Sequence, residues 1–288
     1  MNRHALEMRL WPVLRWVLIV GLVLITVFPF FYMVLLSFVP IEQLLQHPER
    51  LWVPFDQLTT ETYAEVLRSE DDGGQGFAQF MRNSALVAVG CTVLTLLVVI
   101  PGAYAVARLR FRGRRFMGGL FLAVYLFPAI VIAIPLFVGF SRVGLGTSLV
   151  GLVLVYIALT VPVSIHMLRS YFETIPVSID EAATLDGASR WTTLTRITVP
   201  LAMPTIMSTA LFIFMIAWNE LLFALLFLVT DRDTWTVSLG LTQLSNGIEV
   251  SKTVLMAGSV LLTVPVVLLY GLAERALTEG LTAGADKG

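Results

Sequence analysis

The chain has 288 residues, 57% of them hydrophobic and 14% charged, where ordinary soluble domains carry roughly 25% charged residues. A soluble globular protein is excluded on that ground. The formal net charge of -1 gives no global basic field for nucleic acid, and a single cysteine, Cys91, leaves no internal disulfide framework and no paired-cysteine metal site.

A helix crossing a hydrocarbon layer of about 30 Å needs about 20 apolar residues. Six charge-poor runs meet or approach that length, which predicts an all-α polytopic membrane protein with six transmembrane helices. The strict two-residue alternation of an outer-membrane barrel is absent. Residues 1–15 read as a cytoplasmic N-terminus carrying Arg3, Arg9 and Arg15. Residues 16–38 read as the first transmembrane helix, because the run from Trp16 to Ile41 is too long for a signal-peptide core and no small-residue cleavage site comes after it. An acidic extracytoplasmic loop, 39–80, comes next, with Glu42, Glu49, Asp56, Glu61, Glu65, Glu70, Asp71 and Asp72. It reads equally well as a cap on the outer face and as a solvated loop, with a Gly-rich stretch after Asp72.

Residues 81–277 form a predicted five-helix core, with spans at about 83–107, 116–140, 147–168, 201–229 and 253–273. The first two of these are joined by Arg108, Arg110, Arg112, Arg114 and Arg115. Segments rich in lysine and arginine near span ends stay in the cytoplasm, so this cluster sets the orientation and puts both termini inside. Thirteen of the nineteen basic residues then face inward, and Arg50, Arg68, Arg82, Arg142, Arg232 and Lys252 face outward. No acidic residue lies between Asp72 and Glu173. Three consecutive spans therefore hold no carboxylate relay, which weakens the alternative of an ion-coupled secondary carrier.

The cytoplasmic connection 169–199 is too patterned for a passive linker. Asp180, Glu181, Ala182 and Ala183 open a helix with acidic residues at its positive end. Two alanines keep its surface slim enough for a groove on another protein, and Gly187 permits the positive backbone angle of a sharp turn. Trp191, Leu194 and Ile197 recur at three-residue spacing as one apolar stripe. Pro200 and Pro204 then open the fifth span, where a first turn tolerates proline.

Within that span Trp218, Asn219 and Glu220 interrupt an apolar run. A carboxylate there faces a cavity or a partner, or else snorkels at the interface with Trp218 as its anchor. We read the three as lining a translocation path or a subunit interface. No catalytic set accompanies them. A P-loop needs a lysine followed by serine or threonine within G-x-x-x-x-G-K-[ST], and neither Lys252 nor Lys287 stands in that setting. His4, His47 and His166 are too scattered for a metal pair. The chain is thus read as a non-enzyme without a metal or cofactor of its own, and if it moves something uphill, the energy must come from a partner or an ion gradient.

Glu181-Ala182-Ala183, Gly187, Ile197 and Pro200 have the spacing of the cytoplasmic signature loop of ABC importer permeases. The chain resembles the binding-protein-dependent transport system inner-membrane component family, with Val199 where leucine is commonest. PGAYAVARLRF, IDEAATLDGASRW, AWNELLFAL and the terminal GLTAGADKG are similar to the MalG-like carbohydrate branch, over roughly residues 80 to 288. The resemblance implies a type I importer permease fold in a bacterial or archaeal inner membrane. It also implies a second homologous permease, two ATPase subunits that hold ATP and Mg, an extracytoplasmic solute-binding protein and a sugar substrate. Glu181, Ala182, Ala183, Asp186, Gly187, Ile197 and Pro200 would then couple to the ATPase. Gln243, Ser245 and Asn246 would meet the binding protein, and Thr282, Gly284 and Lys287 in the cytoplasmic tail 278–288 would reach the ATPase.

Overall fold

The structure is a computed structural model that describes residues 3–46, 54–246 and 251–285. Among the described residues the regular elements are all helical. The chain divides into two compact units, Met1–Gly76 with Leu244–Leu261, and Phe77–Gln243 with Leu262–Gly288.

The first unit begins with α1, Arg3–Ser37, whose stretch Trp11–Ser37 is long and apolar enough to cross a membrane. Pro12 and Pro29 lie inside it without ending it. Two short helices come next, α2 at Ile41–Gln46 and α3 at Glu61–Leu67. Tyr63 of α3 packs its ring 4.9 Å from that of Phe38, and its hydroxyl lies 2.7 Å from Ser37 Oγ. The Phe38 carbonyl accepts from the Thr59 amide at 2.8 Å. After α3 the chain turns through Gly73 and Gly76, both at positive φ, and the turn is closed by amides of Gly73, Gly74 and Gly76 donating to Glu70, Ser69 and Arg68 carbonyls at 2.8 Å each. Those parts of the acidic segment are thus built of helix and hydrogen-bonded turn.

The second unit contains α4 (Phe77–Arg108), α5 (Arg114–Tyr125), α6 (Ala129–Arg142), α7 (Leu149–Thr174), α8 (Val177–Leu185) and α9 (Arg190–Thr193). A π-helical turn, Leu194–Thr198, leads into α10 (Val199–Leu201), α11 (Met203–Asn219), α12 (Leu222–Leu228) and α13 (Val237–Asn246), whose residues up to Gln243 belong to this unit. The last helix, α14 (Lys252–Ala285), runs through both units.

Two expected spans are interrupted. The run over 116–140 breaks at Leu126, Phe127 and Pro128, because proline lacks an amide donor and disfavours helical backbone in the residue before it. The run over 201–229 ends its first helix at Asn219, where Glu220 takes extended backbone at φ -65°, ψ 131°. At its start, the segment Arg190–Leu201 meets α11 at 81°, around the Met203-Pro204 pair. Among the described residues four helices are long and apolar enough to span a membrane, or five if that bent pair is one span. The six expected spans are therefore not matched one for one by unbroken helices, since two of them are broken.

α4 and α7 pack side by side, with α11 against both. Their core at one end joins Val99, Ala103 and Tyr104 of α4 to Leu168 and Phe172 of α7, and takes in Leu194 of the π turn. Tyr104 and Phe172 meet edge to face at 6.3 Å. This end of the helices, which carries Arg108 to Arg114, is the basic end; the other, where Phe77, Phe80 and Trp235 gather, is the aromatic end.

Candidate functional site

At the basic end the chain leaves α7 at Ile175 and Pro176 and forms a helix-turn-helix, α8 to α9. Its turn is defined by hydrogen bonds. The Ala188 amide donates to the Ala183 carbonyl at 2.9 Å and the Gly187 amide to Thr184 at 3.1 Å, the two bonds of a Schellman cap. Gly187 sits at φ +79°, a conformation that costs other L-residues because of Cβ. Two residues on, Ser189 caps α9 by accepting from the Thr192 amide at 3.1 Å.

One face of this hairpin is bound to the core and the other is bare. Ala183 is buried, and Ile179 packs partly against the core. Glu181, Ala182, Asp186 and Gly187 are exposed. So are Leu185, at 89% of its surface, and Trp191, at 66%. Composition reasoning missed Leu185, whose signal is a leucine held between Thr184 and Asp186 on the rim of the turn. The stripe expected over Trp191, Leu194 and Ile197 is split: Trp191 faces out, Leu194 is buried and Ile197 is half-buried. The π turn starting at Leu194 inserts an extra residue and rotates Ile197 around the helix axis, while Trp191 lies in the first turn of α9, ahead of it. Pro200 is exposed in α10.

Charged groups fasten the hairpin to its neighbours. Arg108 Nε lies 3.1 Å from Asp180 Oδ2, with only 8% and 20% of the two side chains exposed, and Arg108 Nη2 donates to the Ile175 carbonyl. Arg114 Nη2 donates to the Ala107 carbonyl at 2.8 Å, satisfying an end group that α4 leaves open. Glu173 is met by Arg169 at 2.9 Å and Arg114 at 3.5 Å. Arg108, Arg114, Glu173 and Asp180 line a polar cleft of about 640 Å³.

At the aromatic end neutral donors do the fastening. Asn83 Nδ2 donates to the carbonyls of Asp233 and Trp235 at 2.7 and 2.9 Å, and the Val237 amide donates to Ser84 Oγ at 2.8 Å. The Arg232 guanidinium lies over the rings of Trp235 and Phe80, at 5.1 and 5.8 Å. Glu220, in the break between α11 and α12, accepts from the amides of Phe223 at 3.0 Å and Ala224 at 3.3 Å, capping α12, and from the buried Tyr156 hydroxyl at 2.7 Å. Its carbonyl accepts from Ser238 Oγ. Trp218 is buried, stacked on Phe214 and donating to the Leu262 carbonyl at 3.0 Å. Asn219 is exposed and its amide folds back on Met215. The three adjacent residues thus occupy three different environments.

Of the remaining sequence candidates, Gln243 is half-buried and Ser245 exposed, both on α13. The side chain of Asn246 is outside the described residues, as are those of Thr282 and Gly284, whose backbone belongs to α14; Lys287 is outside them altogether. Between α6, α7 and α11 lies an apolar cavity of about 880 Å³, lined among others by Phe127, Leu136, Leu159 and Phe212. Among the described residues no group of His, Cys, Asp and Glu is placed to hold a metal ion.

At the basic end one face of α8 is buried and ion-paired and the other is exposed. Comparison with known proteins gives it a setting. The profile of the family described as binding-protein-dependent transport system inner membrane component matches residues 99–281. The inner membrane ABC transporter permease protein YcjP of Escherichia coli K12 is 38% identical over 266 residues, 92% of either chain. The trehalose/maltose transport system permease protein MalG of Thermococcus litoralis is 37% identical over 281 residues, 95% of this chain and 97% of that one. A crystal structure of a bacterial ABC transporter involved in import of the acidic polysaccharide alginate has a chain of the same fold, with a TM-score of 0.76 at 22% identity over 96% of this chain and 98% of that one.

Proposed function

Because the chain belongs to the binding-protein-dependent transport system inner membrane component family, we propose that it forms half of the translocation pathway of an ATP-driven importer whose substrate is a di- or oligosaccharide. It is a permease subunit without catalysis of its own, and ATP with Mg belongs to a separate ATPase. A second permease, two ATPase subunits and an extracytoplasmic solute-binding protein complete the assembly in this reading. The sugar class rests on the trehalose/maltose permease at 37% identity.

The basic end faces the cytoplasm in this reading, with both termini on that side, since lysine and arginine collect there. ATP binding closes the ATPase pair, the α8–α9 hairpin moves with it, and the two permeases rock from inward to outward opening. Glu181 supplies a polar contact to the ATPase groove, and Ala182 lets the helix approach closely. Asn219, exposed at the aromatic end, faces the path or the second permease, and Gln243 and Ser245 meet the binding protein.

The observation that carries the proposal is the exposure of Leu185 and Trp191 on a hairpin whose back is buried and ion-paired. In this reading that exposed apolar surface, beside Glu181 and Asp186, is what meets the ATPase. The test is uptake in vesicles holding the whole assembly. Gly187→Pro and Ala183→Glu are expected to abolish ATP-dependent uptake while the chain still inserts in the membrane. Uptake that persists without the ATPase and collapses with the ion gradient would show a secondary carrier instead.

A further inference from the structure

Arg108 reaches three helix ends at once. It is the last residue of α4, its Nη2 donates to the Ile175 carbonyl that closes α7, and its Nε faces the Asp180 carboxylate in the first turn of α8 at 3.1 Å. One turn earlier Tyr104 packs on Phe172 of α7. The polar cleft of about 640 Å³ opens beside the pair, so that the front of α8 is attached to α4 through these two charges. Ile179 and Ala183 hold the helix from its apolar side.

A largely buried ion pair adds little net stability, because desolvation offsets the attraction, and removing one partner strands a buried charge. What such a pair fixes is position. Here the contact is also unsaturated: Arg108 Nε and Asp180 Oδ1 are buried and neither makes a hydrogen bond. The guanidinium fork and the carboxylate therefore meet as charges at one point, short of the two parallel bonds that Arg and carboxylate can form.

We propose that Arg108 and Asp180 form a strut that passes displacement of the α8–α9 hairpin to α4, and that both act as positioning residues for transport while touching neither substrate nor nucleotide. The strut rests on the importer reading. With the strut intact, movement of α8 shifts the end of α4 and its core contacts Tyr104 and Val99. Without it, α8 moves with the ATPase while α4 lags, and hydrolysis continues with little movement of substrate.

The experiment uses the complete transporter in proteoliposomes and measures sugar taken up per ATP hydrolysed, together with recovery of the ATPase on the purified permease. Arg108→Gln and Asp180→Asn are each expected to lower the uptake-to-hydrolysis ratio at least tenfold with the ATPase still recovered. The double variant is expected to be no worse than either single one, because one contact is lost in all three. Arg108→Lys, which keeps the charge and loses the fork, is expected to fall between wild type and Arg108→Gln. A ratio within twofold of wild type in both single variants overturns the strut. So does loss of ATPase recovery in step with uptake, which would make the pair part of the docking surface. A wild-type assembly whose uptake needs no ATP would instead sink the importer reading itself.

Discussion

At its basic end α4 is tied by a guanidinium to a carboxylate and a helix-end carbonyl. At its aromatic end the same helix is tied by the Asn83 amide to two loop carbonyls and by the Ser84 hydroxyl to a loop amide. The two ends differ in what they leave over. Around Glu220 the carboxylate is turned inward, onto amides and a buried hydroxyl. Around α8 Asp180 is spent on the bound face, while Glu181, Asp186 and the apolar Leu185 are left exposed. At the aromatic end the amide, hydroxyl and Glu220 carboxylate side chains all bond to partners within the chain, whereas at the basic end the ion pair holds α8 from one side and leaves its other face exposed. Perturbations at the aromatic end should therefore register as lost stability, and those at the basic end as lost partnership.

The largest stability effect is expected at Glu220. Glu220→Ala removes the cap of α12 and strands the buried Tyr156 hydroxyl. Loss of a cap costs about 1–2 kcal/mol and an orphaned buried hydroxyl about 1–3 kcal/mol, so we expect about 3 kcal/mol in reversible unfolding in detergent. Glu220→Gln keeps an acceptor for both partners and should lose about half of that. Equal losses for the two variants would mean that the negative charge, and not the hydrogen bonding, is what the site uses.

Asn83→Leu comes next, at about 2 kcal/mol. The Trp235 carbonyl loses its Asn83 donor, while Gln79 still reaches the Asp233 carbonyl at 3.3 Å. Protection of the Trp235 to Val237 amides from hydrogen exchange should fall with it, and ATPase recovery should not. If ATPase binding fell as far as stability, the separation between the two ends would fail.

Leu185→Ser probes the opposite case. With 89% of its surface exposed, Leu185 makes no core contact to lose, and the unfolding midpoint should stay put. Affinity for the ATPase should drop about tenfold, equivalent to about 1.4 kcal/mol. Unchanged affinity would remove Leu185 from the contact surface.

Legibility in the sequence divides along the same line. The membrane class and the hairpin around Gly187 could be read from charge spacing and from one glycine, because local rules govern both: caps, dipoles and positive φ. The break at Glu220 was visible only as a carboxylate in an apolar run. That Glu220 caps a second half-helix depends on Tyr156, 64 residues away, and nothing in the local pattern announces that partner. Asn83 escaped notice for the same reason, since its acceptors lie about 150 residues on. In the stripe through Trp191, Leu194 and Ile197, the place of Ile197 depends on one inserted residue, a π turn that helical periodicity does not foresee.

The smallest effect is expected where a charge contact most resembles the strut and differs in burial. Arg169 and Glu173 pair at 2.9 Å one helical turn apart, yet 29% and 40% of their side chains are exposed. Water screens such a pair, and exposed i,i+4 contacts contribute about 0.3–0.5 kcal/mol. Glu173 also keeps Arg114 at 3.5 Å when Arg169 is gone. Arg169→Gln should therefore change stability by less than about 0.5 kcal/mol and leave the uptake-to-hydrolysis ratio at wild type, even though it sits within two turns of Ile175. The comparison with Arg108→Gln then isolates burial and placement from charge alone. If the two variants uncoupled transport equally, the basic end would act through its summed charge, and no single pair in it would be a strut.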